Sequence, residues 1–159
     1  MASEIERKFL VQGDGWRAGA RQRLCQCYLN RDKERTVRVR IAGDQAFLTI
    51  KGVTRGATRA EFEYAIPMQD AEQLLELSDG PILEKNRYVL VHEGSRWEVD
   101  EFLGDNAGLV IAEIELESED QPFSRPPWLG QEVTGDSRYY NSNLAGHPYG
   151  EWRNGTATG

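Results

Sequence analysis

The chain has 159 residues, a formal net charge of −7, 28% charged residues and 39% hydrophobic ones. That length suits one domain with a buried core, and the acidic balance argues against general affinity for a nucleic-acid backbone, which depends on broad positive surface. It leaves room for a small anionic ligand, because a focused cluster of arginines and lysines can sit inside an acidic protein.

Charge begins within the first residues, Met1-Ala2-Ser3-Glu4-Ile5-Glu6, and no apolar run reaches the length of a signal h-region or a membrane span. A soluble, cytoplasmic protein without a membrane partner is expected. Cys25 and Cys27, the only cysteines, are two apart, so in a strand they point the same way and do not pair easily with each other. Both are expected to be reduced and structural. His92 and His147 complete no zinc-type spacing with them.

In chain order, period-two alternation predicts strands over 2–11, 22–30, 35–42, 46–52, 59–66, 82–92, 95–103 and 109–117. Ala42-Gly43-Asp44-Gln45 and His92-Glu93-Gly94-Ser95 read as hairpin loops with glycine available for a positive φ, so neighbours should be antiparallel. A helix is expected from Asp70, as its cap, to about Leu77. Further helical segments are expected over Trp16–Arg21, after Pro126-Pro127 and over Tyr139–Ala145. One domain is read over 1–152, with 153–159 as a frayed tail.

Splitting each strand into its two faces separates an ionic stripe from an apolar one. Glu4, Glu6 and Lys8 share a face, as do Arg38 and Arg40, Thr49 and Lys51, Glu61 and Glu63, Lys85 and Arg87, Glu98 and Asp100, and Glu113, Glu115 and Glu117. Any one of these strands also fits an ordinary half-buried sheet with a wet face. The segregation by sign is harder to place on a wet face, because like charges at adjacent same-face positions repel. It is explained if the carboxylates meet cations and the bases meet an anion, and a metal-bound polyphosphate supplies both. About eight strands suffice to close a barrel around one small ligand. The fold class expected is therefore β-dominated α+β, a closed eight-stranded antiparallel barrel with a few covering helices.

The N-terminal Glu4-Ile5-Glu6-Arg7-Lys8 is an ExExK pattern, followed in order by Gln26-Cys27-Tyr28-Leu29, Thr36-Val37-Arg38-Val39-Arg40, Leu48-Thr49-Ile50-Lys51-Gly52, Glu61-Phe62-Glu63-Tyr64, Glu84-Lys85-Asn86-Arg87-Tyr88, Trp97-Glu98-Val99-Asp100 and Ala112-Glu113-Ile114-Glu115-Leu116-Glu117. Across about residues 3 to 117 this resembles the CYTH, or triphosphate tunnel metalloenzyme, family, and Tyr140–Ala145 looks like its C-terminal segment. The resemblance implies a barrel that binds a small-molecule triphosphate with Mg2+ or Mn2+. It makes Glu4, Glu6, Asp100, Glu113 and Glu115 candidate metal ligands, and Lys8, Arg38, Arg40, Lys51, Lys85 and Arg87 candidate phosphate-binding residues. Tyr28 and Lys85 become candidate catalytic residues that place the attacking water or move its proton. Roles for Glu61, Glu63, Glu98 and Glu117 stay open, as does the oligomeric state.

The fold does not settle the reaction. Tripolyphosphatases, thiamine triphosphatases, RNA 5′-triphosphatases and class IV adenylyl cyclases share it, and the compact chain favours inorganic triphosphate. A non-catalytic polyphosphate sensor is the rival from another class, but its expected mark, loss of the metal carboxylates, is missing. A plain structural β-domain would show neither metal dependence nor triphosphate binding.

Overall fold

Alternating side chains and two-residue turns organise the molecule, seen in a computed structural model that describes residues 3–152. Strands β1 (Ser3–Val11), β2 (Ala20–Asn30), β3 (Arg35–Ala42), β4 (Gln45–Gly52), β5 (Thr58–Ile66), β6 (Leu83–His92), β7 (Ser95–Phe102) and β8 (Val110–Leu116) match the expected set to within two residues at each end. The β3–β4 turn uses Gly43 at φ 64°, and the β6–β7 turn places Glu93 and Gly94 at φ 46° and 85°, the doubly positive pair that suits the twist of a tight hairpin.

All pairings are antiparallel, in the order β5-β4-β3-β2-β6-β7-β8-β1, and β1 closes the ring on β5 through Ser3↔Ala60 and Ile5↔Thr58. The far half of that β1 edge is taken by a ninth strand, β9 (Leu129–Glu132), which pairs Phe9↔Glu132 and Val11↔Leu129. Here the expected helix after Pro126-Pro127 is replaced by a turn, Leu129 N–H to Pro126 C=O at 3.0 Å, and then this strand. Gly130 permits the pairing: a Cβ there would lie 3.0 Å from the Leu10 carbonyl oxygen. The Trp16–Arg21 segment is helical only as a 3-10 turn over Gly15–Ala18, because β2 claims the chain from Ala20.

The outward faces are apolar and covered in two patches, and a third apolar cluster lies on the inward stripe under the C-terminal helices. Helix α1 (Met68–Leu74) lays Ala71, Met68 and Leu74 over Cys27, Val39 and Ala46. It begins after Pro67 rather than at Asp70, which sits instead in the first turn, where a carboxylate complements the helix dipole, and it tightens into a 3-10 turn at Leu75–Leu77. The segment from Phe123 to Trp128 covers Phe9, Trp97, Val99 and Ile114, with Trp97 edge-on to Phe9, Phe123 and Trp128. Helices α2 (Asn141–Gly146) and α3 (Tyr149–Trp152) bring Leu144, Ala145 and Trp152 against Leu83, Phe102, Leu109 and Ile111. Phe102 and Ile111 lie on the same strand faces as Asp100 and Glu113, so the inward stripe turns apolar there and packs under α2.

Both cysteines are free. Among the described residues no helix is long and apolar enough to cross a membrane. The 153–159 segment, expected to fray, lies outside the described residues.

Candidate functional site

The inward stripes of the strands enclose a cavity of about 220 Å3. β1 supplies Glu4, Glu6 and Lys8; β2 supplies Tyr28; β3 Arg38 and Arg40; β4 Lys51; β5 Arg59, Glu61 and Glu63; β6 Lys85 and Arg87; β7 Glu98; β8 Glu113 and Glu115. Every site residue expected from the sequence lines this space except Asp100, which lies behind Lys85 and Arg87 at 1% exposure.

Three ionic groups can be separated. At the first, Glu4 accepts from Lys51 Nζ at 2.7 Å, Lys51 lies 3.5 Å from Glu61, and carboxylate oxygens of Glu4, Glu61 and Glu115 fall within 4.8 Å of one another. Burial, then the Glu4 carboxylate, pushes both Glu61 and Glu115 above the usual carboxylate range. A cation among the three would relieve that repulsion, and hard oxygen donors at this spacing suit a divalent ion such as Mg2+. In the second group, Lys8 Nζ sits between Glu6 at 3.0 Å and Glu113 at 3.1 Å. Burial pulls its ammonium down, but Glu113 and Glu6 overcome this and hold it above the ordinary lysine value.

The third group is basic. Arg87 grips Asp100 through Nε and Nη2 at 2.8 and 2.9 Å, and Lys85 Nζ reaches the same carboxylate at 2.7 Å. Burial raises Asp100, yet Arg87 and Lys85 outweigh it and hold the carboxyl well below the usual range. Lys85 itself is pulled down to about 7, by burial first, with Arg87 and Arg40 adding to it and Asp100 opposing. Arg40 has the neutral Gln26 as its hydrogen-bond acceptor at 2.8 Å, and burial, then Arg38 and Arg87, lowers it. Arg38 donates to Thr49 at 3.3 Å, while its Nε is buried without a partner. An orphaned guanidinium donor beside an underpaired one is the arrangement an oxyanion would satisfy.

The structure thus joins Glu4 and Glu115 with Glu61, whose role the sequence left open, and ties Glu6, Glu113 and Asp100 to basic side chains. Glu61 could be found only through topology, since it meets β1 because β5 closes the barrel. Gln26, Asn141 and Thr49 lie in segments that carry the family resemblance but were assigned no site role, being neutral residues that gain meaning from the charges beside them.

Residues 2–144 match the CYTH domain family. The chain is 52% identical over 151 residues to an inorganic triphosphatase of Acetivibrio thermocellus, covering 94% of this chain and 97% of that one. It is 39% identical over 149 residues to an inorganic triphosphatase of Nitrosomonas europaea, covering 90% and 97%. A solved crystal structure of an inorganic triphosphatase superposes with a TM-score of 0.63 at 38% identity, over 89% of this chain and 96% of that one. The closed barrel, its paired stripes of opposite charge and these likenesses agree: the chain belongs to the CYTH family.

Proposed function

We propose that this protein hydrolyses inorganic tripolyphosphate to pyrophosphate and phosphate in the barrel lumen, using Mg2+ or Mn2+. The observation that carries the reading is the charge balance of the cavity wall, seven basic side chains against seven carboxylates. A linear triphosphate brings several negative charges into a low-dielectric space, and a wall with no positive excess cannot neutralise them unaided. A divalent cation on the Glu4, Glu61 and Glu115 carboxylates supplies the missing charge.

Glu4 and Glu115, with Glu61, are the residues that would hold it; Glu6 and Glu113 join them if Lys8 turns to a phosphate. When bound, the cation polarises a phosphoryl oxygen and orients water. Arg38 and Arg40 meet phosphate oxygens with their free donors, while Lys8, Lys51, Lys85 and Arg87 add point charges and forks along the chain of phosphates. Together they stabilise charge that spreads over the transferred group and its leaving oxygen. Lys85 Nζ, drawn down toward neutral pH by burial, can give a proton to the leaving oxygen and take one back, and the Tyr28 hydroxyl orients the attacking water.

Inorganic triphosphate is favoured over a nucleotide because Trp16, Trp97, Trp128 and Trp152 are each at most 8% exposed and packed within the apolar clusters, so none offers a face for a base. The two relatives bear the name of this activity. A reducing, cytoplasmic setting fits the free thiols. The test is phosphate release by Glu4→Gln and Glu115→Gln. Both should lose metal-dependent turnover by about a hundredfold or more while keeping the fold, since each removes a first ligand. Near-normal turnover in either would remove the metal assignment.

A further inference from the structure

Two neutral amides lie among the cations of the basic group. Gln26 on β2 is 0% exposed, and Asn141 is the first residue of α2. Asn141 Oδ1 accepts from Lys85 Nζ at 2.9 Å and from Gln26 Nε2 at 3.1 Å, and Gln26 Oε1 accepts from Arg40 Nε at 2.8 Å. The chain of bonds therefore runs Lys85, Asn141, Gln26, Arg40.

Its direction is forced from both ends. As an ammonium paired with Asp100 and a guanidinium, Lys85 and Arg40 donate and do not accept, so Asn141 must turn its oxygen to Lys85 and Gln26 must turn its oxygen to Arg40. Only one orientation of the two amides then leaves a donor facing an acceptor between them, and that is the one observed. Neither amide can flip without setting two donors or two acceptors face to face in a buried site.

From this we infer that Gln26 and Asn141 are positioning residues that hold Lys85 and Arg40 at a fixed separation for the phosphates, an inference resting on the triphosphatase reading. They do so without neutralising either cation: a carboxylate at the same places would hold the geometry and cancel charge needed for the substrate. Asp100 already fixes Lys85 from behind, and Asn141 fixes it from the side of α2.

The placement makes α2 part of the site rather than cover alone. The segment after β2 holds the other end of that helix too. The Arg31 guanidinium reaches Asp79 at 3.4 Å and fills the space beside Gly146, where any Cβ would collide with it. Leu144 and Ala145 between these anchors are buried against Tyr28 and Leu83. β2 thus carries Tyr28 and Gln26 inward, with Gln26 meeting the first residue of α2, and Arg31 just beyond the strand lies beside Gly146 at the helix's other end.

The experiment compares Asn141→Leu, Asn141→Asp and wild type in steady-state hydrolysis of tripolyphosphate with Mg2+, alongside their melting temperatures. Leucine keeps the shape and removes the acceptor, so kcat should fall about 10- to 100-fold through misplacement of Lys85 and Arg40, with melting little changed. Aspartate keeps the acceptor, so kcat should return to within a few-fold of wild type, with KM raised by the added negative charge. A residue needed only for packing would give the opposite order, since leucine would serve and a buried carboxylate would not. Wild-type kcat in Asn141→Leu, or equal loss in both variants, overturns the inference. Should Asn141→Leu fail to fold, Asn141→Ala, which cannot overfill the site, replaces it with the same expectation. A wild type that does not turn over tripolyphosphate would be a failure of the triphosphatase reading instead. Crystal structures of the same proteins then decide, with Lys85 and Arg40 displaced in Asn141→Leu in support and unmoved against.

Discussion

Lys85 and Arg87 share the Asp100 carboxylate, and while Arg87 also lies 3.3 Å from Glu98, Asp100 is the carboxylate that offsets the burial of Lys85. Taking unit charges out of water costs several kcal/mol each, which a close partner with good geometry offsets. Asp100→Asn keeps the shape and removes that partner, so it should destabilise the fold by about 3–5 kcal/mol in urea titration, the cost of leaving a buried charge uncompensated. Glu61 and Glu115 are the reverse case. Their protonated forms are favoured in the folded state, so without a cation the folded protein holds more protons than the unfolded chain above the ordinary carboxylate value. Stability should therefore fall as pH rises through that window, and Mg2+, which binds only the ionised forms, should restore it. Melting curves with Mg2+ and with chelator between pH 5 and 8 check this: the increment given by the metal should grow with pH.

At the scale of elements, the strands were legible because alternation is a strong signal when both faces are specified, here apolar outward and ionic inward. Turns were legible through Gly43 and Gly94. β9 was not, because Leu129–Glu132 is too short to show a period and owes its pairing to the open edge of β1 beyond β5. The start of α1 was misplaced to Asp70 because a carboxylate near a helix start reads as a cap, whereas Pro67 sets the entry and Asp70 serves the dipole. Among site residues, the charged stripes named most of the lining, but strand faces say nothing of which residues meet across the lumen. That depends on closure, which brings Glu61 on β5 to Glu4 on β1. The covering segment around Trp128 bears on stability more than on chemistry. Trp128→Ala should cost about 3–5 kcal/mol by leaving a cavity over Trp97, read in thermal or denaturant unfolding.

For the whole molecule, the usual arrangement of a small barrel is inverted. The outward faces are apolar and are buried under α1 and the Phe123–Trp128 segment, while the interior carries charge except where its stripe turns apolar beneath the C-terminal helices. Such an interior is costly without its ligands, because buried like charges and orphaned donors are strained until ions arrive. Binding of metal and triphosphate should accordingly be mutually dependent, each supplying the countercharge of the other. Tripolyphosphate with Mg2+ should raise the melting temperature more than the two separate increments added together.

The most direct test is phosphate release from tripolyphosphate, pyrophosphate, ATP and thiamine triphosphate, each with Mg2+, Mn2+ or chelator, with cyclic AMP followed in the ATP samples. Release that is fast with tripolyphosphate, slow with the others and abolished by chelator is the predicted result. Tight binding of tripolyphosphate without turnover, or cyclic AMP from ATP in place of phosphate release, would contradict it.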